Sequence, residues 1–367
     1  MSVARVSAGG GSAQATGDEP GPGAIGSGAR TKRLGQMGKI ARGVFFIVGT
    51  GRCGSTLLQA MLSAHPRLCV PRETHFFLRF TPEALGLPDP LPDGDAAREY
   101  ARRVRLTAWW ETLGVDSAWL DGIAEDPSRS RDTGGMFLDL LERLTPSDRP
   151  GVRMGEKSPQ HVRHIGQIAG LFPRARFIHL VRDPRDVTES LLRMPWWEHR
   201  REVLGDAAVH ATARAWRRCV ERADQALKRL GPQRLMHVRY EDLVRAPEPT
   251  LRTVCAFLGE TFEVSMLDHP QHGTAGFSSR EEAWKGGTRA PIDANQIGKS
   301  RGRLSARDVW AIEHHAGAWL SRMGYELDPH VPRPALWRAR CWWEARRAFA
   351  AIRRRHATPS GSATPPA

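Results

Sequence analysis

The chain has 367 residues, is 40% hydrophobic and carries a formal net charge of +14 at pH 7. That length allows one large or two modest domains with a sizeable core, and the charge attracts polyanions: nucleic acid, anionic lipid or a polyanionic small molecule. No stretch of 18 apolar residues suggests a transmembrane helix, and no helix-turn-helix, zinc finger or RNP-like aromatic motif accompanies the positive charge.

Residues 1–42 read as a disordered leader. Their first thirty positions are rich in Gly, Ala and Ser and lack the apolar core of a signal peptide. Cys53, Cys69, Cys219, Cys255 and Cys341 lie far apart with no C-x-x-C pair. This spacing argues against a disulfide framework or zinc site and fits a reducing cytoplasm.

The apolar run Val44–Val48 predicts a buried strand, and Leu57–Leu62 predicts the helix after it. Between them lies Gly49-Thr50-Gly51-Arg52-Cys53-Gly54-Ser55-Thr56. A strand, a Gly-rich turn and a helix N-terminus form an anion site, because backbone N–H groups and the helix dipole both point into the turn. The spacing is that of G-x-x-x-x-G-K-[ST], with Ser55 where the phosphate-binding lysine should stand. The loop is built for a phosphate other than that of ATP. Cys53 reads as a small loop residue, since nothing beside it suggests a base.

Leu68–Val70 predicts a second short strand. From Thr81 to Pro150 the composition shifts to Pro, Asp, Arg and Trp. Residues 81–150 read as a helical insertion, either a lid facing a substrate through Trp109, Trp110 and Trp119 or a layer buried for packing. His161 and His164 have i, i+3 spacing but no evident third ligand, so a metal site is not expected.

The run Phe177–Val181 predicts a strand that delivers Arg182 to its carboxyl end. Asp183 suits an N-cap and Pro184 the first helical position, and Ser190 follows two turns later. A guanidinium and a hydroxyl beside a helix N-terminus suit a second phosphate. Leu235–Val238 predicts a further strand ending at Tyr240. Strands alternating with helical stretches imply an α/β fold with a central parallel sheet flanked by helices, its ligand at the carboxyl ends of the strands. That rule gathers Arg52, Arg182 and Tyr240 around one crevice within a domain of residues 43–328. In residues 329–367, Leu336–Arg355 carries Trp342, Ala345, Phe349 and Ile352 opposite many arginines, and a tail follows. It reads as a basic amphipathic helix, docked on its own domain or lying peripherally on an anionic membrane.

The strand–GTGRCGST–helix element and FIHLVRDPRDVTESLL together resemble the two nucleotide-binding motifs of sulfotransferases. In texture they are closest to tyrosylprotein sulfotransferases and their bacterial relatives, through Arg52–Leu58 and Ala60–Pro66. The resemblance runs in order from about Phe45 to Tyr325, with little from residues 81–150. It implies a P-loop-like sulfotransferase fold and the co-substrate 3′-phosphoadenosine 5′-phosphosulfate, with no metal. By resemblance, Gly51, Arg52, Cys53, Gly54, Ser55 and Thr56 form the 5′-phosphosulfate loop, with Arg52 as its cation. Arg182 and Ser190 would hold the 3′-phosphate, with Arg193 as helper, and Tyr240 would contact adenine. Lys299 or Arg301, in Gln296–Arg303, would come from the loop that closes over the cofactor.

Attack on sulfur needs the acceptor proton removed as the bond forms. Glu73 matches the family's catalytic glutamate, with His75 the alternative base. Lys157, in Gly155-Glu156-Lys157-Ser158-Pro159, resembles the family's lysine upstream of the second motif and would neutralise charge on the bridging oxygen. Lys157 and Arg52 join Glu73 as the expected catalytic residues. The implied activity is sulfuryl transfer to a hydroxyl-bearing acceptor: a sugar, lipid, phenol or other small molecule. The competing readings are a P-loop kinase using ATP and a non-catalytic protein that binds nucleotide or polyanion. Sequence leaves the acceptor and the oligomeric state open.

Overall fold

The computed structural model describes residues 43–331 apart from 273–276 and 278–280. The Leu336–Arg355 segment and the leader lie outside the described residues. Five strands form one parallel sheet: β1 (Phe45–Gly49), β2 (Leu68–Cys69), β3 (Arg153–Lys157), β4 (Arg176–Val181) and β5 (Leu235–Arg239), in the order β2-β3-β1-β4-β5. The chain thus leaves β1 on one side for β2 and β3 and crosses to the other for β4 and β5. In such sheets the ligand site lies where the order reverses, which here is outside the carboxyl end of β1.

β1 is buried throughout, as a central strand covered on both faces must be. Its alternating side chains feed two cores. Phe46 and Val48 join Phe77, Trp119, Phe137 and Phe177 on one face. Phe45 and Ile47 join Leu58, Met61, Leu251 and Leu258 on the other. Phe46 stacks on Phe137 and Phe177 at centroid distances of 5.7 and 5.4 Å, each pair adding about 0.5–1.5 kcal/mol beyond area burial.

Helix α1 (Ser55–Ser63) leaves the glycine-rich turn after β1. Within residues 81–150, α2 (Gly94–Arg105), α3 (Ala118–Glu125) and α4 (Thr133–Leu144) bury Tyr100, Trp119 and Phe137 in the first core. Trp119 is fully buried and stacks on Trp110 at 6.1 Å. Trp119 is therefore a packing residue.

Helix α5 (Pro184–Leu192) follows β4, with the Asp183 side chain accepting the Arg185 N–H at 2.8 Å and Pro184 in the first turn. The long α6 (Ala207–Leu230) buries Ala213, Trp216, Val220 and Ala223 and packs against α5. α7 (Tyr240–Arg245) and α8 (Pro247–Leu258) follow β5. The short α9 (Glu282–Lys285) and the loop through Gln296 then return to the crevice. Among the described residues no helix is long and apolar enough to cross a membrane.

The strand over Arg153–Lys157 is the element the apolar runs do not announce. Its residues Arg-Met-Gly-Glu-Lys are all buried, three of them charged. Each charged side chain needs a dedicated partner there, and each has one.

Candidate active site

The loop after β1 turns through two left-handed residues, Arg52 at φ 68° and Gly54 at φ 91°. Gly54 is also required by space: a Cβ there would lie 2.2 Å from the Tyr240 ring. Arg52 gains its position at the cost of backbone strain that a side chain rarely tolerates. Ser55 and Cys53 are buried at the helix start. Burial pushes the Cys53 thiol up to about 11, which leaves it inert as a nucleophile. Gly51 faces Leu191 of α5.

The two sequence motifs meet directly. Arg52 donates from Nε to Ser190 Oγ at 3.0 Å and from Nη2 to the Trp284 carbonyl at 3.2 Å. Arg182 donates from Nη1 to the Arg52 carbonyl at 3.4 Å and from Nη2 to the Gln296 carbonyl at 2.6 Å. Its guanidinium lies 4.5 Å from the centre of the Tyr240 ring, and Asp186 stands 3.5 Å away. Arg182 Nε is buried with no partner. Burial and then the neighbouring Arg182 hold Arg52 below its ordinary pKa. Two guanidiniums side by side, one with a spare buried donor, form an anion site.

The remaining expected phosphate ligands stand further out. Arg193 is largely exposed and pairs with Glu189 at 3.0 Å. In the Gln296–Arg303 loop the contact to Arg182 is the Gln296 carbonyl. Asp186 accepts the Gly298 and Ser300 amides at 2.8 and 2.9 Å and so fixes this loop. Lys299 is half-buried and Arg301 exposed.

A second cluster lies beyond Thr56. Lys157, at the end of β3, bonds Glu73 Oε1 at 2.5 Å and reaches Thr56 Oγ1 at 3.5 Å. Lys285 of α9 meets the same Glu73 oxygen at 3.0 Å, and His75 Nε2 stands 3.2 Å from the other oxygen. Burial alone would raise the Glu73 pKa, but Lys157, the His75 hydrogen bond and Lys285 hold it well below the usual carboxylate range. Burial pulls the Lys157 ammonium below its ordinary value against the attraction of Glu73. The direction that decides the chemistry is the carboxylate's: Glu73 is ionised. His75 sits at φ 50° with Trp109 edge-on at 4.6 Å.

Glu156 holds this cluster together, and the sequence reading gave it no role. It is fully buried and accepts from Thr74 Oγ1 at 3.0 Å, Ser158 N at 3.1 Å, Ser158 Oγ at 2.5 Å and His161 Nδ1 at 2.7 Å. One carboxylate thus ties the segment carrying Glu73 and His75 to the strand end carrying Lys157. His161 serves as its partner, and His164 bonds Gln167 at 3.2 Å. Among the described residues no cluster of three or more His, Cys, Asp or Glu could hold a metal ion. Lys285 is the other residue of the cluster to which the sequence assigned no role.

Trp196 meets Trp284 edge-on at 4.9 Å, and Trp197 is half-buried on the same helical segment, Pro195–Leu204. Trp109 therefore stands beside His75, and the Trp196–Trp284 pair adjoins Arg52 through the Trp284 carbonyl.

Comparison with known proteins agrees with this geometry. A sequence profile described as "Sulfotransferase family" matches residues 45–264. Protein-tyrosine sulfotransferase 1 of Danio rerio is 26% identical over 305 residues, covering 79% of this chain and 74% of its own. Protein-tyrosine sulfotransferase 2 of Gallus gallus is 25% identical, covering 79% and 71%. The solved sulfotransferase domain from the curacin biosynthetic pathway shares the fold, with a TM-score of 0.55 at 24% identity over 78% of this chain and 99% of that one. Taken with the loop–helix site at the switch point of the parallel sheet, the match establishes that the chain belongs to the sulfotransferase family and is an enzyme.

Proposed function

We propose that the enzyme transfers the sulfuryl group of 3′-phosphoadenosine 5′-phosphosulfate to a hydroxyl acceptor. The observation that carries this reading is the junction of the two motifs: Arg52, Arg182 and Ser190 share one network, next to the Glu73–Lys157 pair. The phosphosulfate lies over the Gly51–Thr56 loop, and the 3′-phosphate lies at Arg182 and Ser190. Adenine rests near Tyr240. The carbonyls of Trp284 and Gln296 occupy donors of Arg52 and Arg182 that phosphate oxygens would take.

In the reaction the acceptor oxygen forms a bond to sulfur as the bond from sulfur to the bridging phosphate oxygen breaks. Glu73 takes the acceptor proton, and the electron pair stays on the leaving adenosine 3′,5′-bisphosphate. Lys157, within reach of both Thr56 and Glu73, neutralises the leaving oxygen. Arg52 takes the cationic place opposite the phosphosulfate. The sulfuryl group carries less charge than a metal-bridged triphosphate, which accounts for Ser55 in the lysine position. The acceptor enters along Trp109 and the Trp196–Trp284 pair, with residues 81–150 on its side of the crevice.

The test is isothermal titration with adenosine 3′,5′-bisphosphate and, separately, with ATP. The expected result is tight binding of the bisphosphate without added metal and weaker binding of ATP. No binding, or no preference over ATP, would refute the reading. Screening hydroxyl compounds by mass spectrometry for an added sulfuryl group then identifies the acceptor.

A further inference from the structure

We propose that a cavity at the opposite edge of the sheet binds a small polyanion carrying at least two phosphate or sulfate groups. The cavity has a volume of about 730 Å³, within the usual range for small-molecule sites. Its wall gathers Arg67, Arg153, Arg174, Arg176 and Arg234 against a single carboxylate, Glu260.

Topology explains why these arginines meet. Arg153 and Arg176 open β3 and β4, while Arg67 and Arg234 directly precede β2 and β5. In a parallel sheet all strand starts lie at one edge. Lys157 closes the strand that Arg153 opens, and four residues of strand place it about 13 Å away. The cavity shares no residue with the active site.

Part of this cluster is structural. Arg153 donates to the carbonyls of Gly43, at 2.8 Å, and Leu258. Arg176 donates to Phe257 at 2.6 Å, and Arg234 to Phe172 at 3.1 Å and Ala175 at 3.2 Å. Phe257 and Leu258 end α8, where a cation suits the helix dipole. Carbonyls fix guanidiniums without neutralising them, and a guanidinium has five N–H donors. The one carboxylate, Glu260, is engaged with Arg67 at 2.5 Å. Arg153, only 7% exposed, is pulled down to about 10, by burial first and by Arg176 second. Mutual repulsion between the buried Arg153 and the half-buried Arg176 is what an anion relieves. Their planar forks match phosphate and sulfate oxygens.

The experiment titrates pyrophosphate calorimetrically into the full chain after a single equivalent of adenosine 3′,5′-bisphosphate has filled the active site, leaving the cavity open. The expected result is one further site, weakened at least tenfold by Arg174→Glu and by Arg67→Glu. Bisphosphate affinity should stay unchanged in both variants, because neither residue belongs to the active site. The melting temperature should fall only slightly, because both side chains are exposed and the Arg67–Glu260 pair lies at the surface. Vesicles carrying a bisphosphorylated inositol lipid separate two sources of the same chemistry. A headgroup site binds them with the same sensitivity to substitution, and a soluble-ligand site leaves them unbound while still taking pyrophosphate. Absence of the second pyrophosphate site, or binding indifferent to both substitutions, overturns the proposal. Bisphosphate binding is read separately, so failure here is distinct from failure of the cofactor reading.

Discussion

The proposed anion-binding half of the active site and its proposed proton-handling half are assembled in opposite ways. Arg52, Arg182 and Ser190 come from two strand–turn–helix units, each contiguous in sequence, that meet at the switch point of the sheet. Lys157, His75 and Lys285 come from positions up to 212 residues away from Glu73 and converge on its carboxylate. Backbone geometry fixes the first half, and buried charge fixes the second. A substitution in the first half should therefore change ligand affinity at modest cost. One in the second should change rate or stability.

The sharpest break between the halves is Glu73→Gln. Turnover should fall at least about 100-fold, the lower range for loss of a general base, while bisphosphate affinity is kept or rises. Equal loss of both would merge the two halves into one.

Glu156→Gln comes next and acts on stability. It leaves the buried His161 and two Ser158 donors without a charged acceptor. Losing the charge behind these buried hydrogen bonds costs about 1.5–3 kcal/mol, measurable by urea unfolding. An unchanged midpoint would remove Glu156 from its positioning role.

Arg182→Ala should weaken the bisphosphate by about 1.5–3 kcal/mol, the range for a hydrogen bond to a charged group, with the unfolding midpoint nearly kept. Ser190→Ala, which removes a neutral hydroxyl from the same network, should cost about 0.5–1.5 kcal/mol of that affinity. Calorimetry on both variants gives the order, and a larger loss at Ser190 would reverse the assignment of the charged contact.

The pH dependence separates the halves again. Glu73 and Glu156 are both held below their ordinary range in the folded chain. Their contribution to stability is present above the unfolded glutamate value of about 4.3 and is lost as pH falls through the folded values. Urea midpoints should therefore drop on acidification below about pH 4.3, and the drop should be shallower in Glu156→Gln. A pH profile identical in the variant would exclude Glu156 as a source.

The same contrast explains what could be read from the sequence. The strands at Phe45, Arg176 and Leu235, the glycine-rich loop and the Asp183-Pro184 helix start are local signals of apolarity, turn chemistry and capping. β3 gave no such signal, because Arg153, Glu156 and Lys157 are made burial-competent by partners from other segments. Residue type alone cannot reveal such partners. Lys285 was hidden for the same reason, lying 212 positions from the carboxylate it contacts. Glu73 and Lys157 themselves were found only through resemblance. The aromatic residues of 81–150 divided by packing: Trp119 went into the core, while Trp109 reached the site beside His75.

One consequence of the lysine on β3 concerns how the two halves communicate. In a phosphate loop that carries its own lysine, the ammonium belongs to the nucleotide alone. Here Lys157 lies between Thr56 of the loop and Glu73. In the proposed reaction an arriving phosphosulfate competes with the carboxylate for that one ammonium. Drawing Lys157 toward the donor frees Glu73 to take up a proton more readily, so donor binding itself raises the basicity of the catalytic carboxylate. Reciprocity then requires the donor to bind tighter when Glu73 is protonated. The displaced cation makes loop and base a single titrating unit, armed by the substrate it is about to cleave.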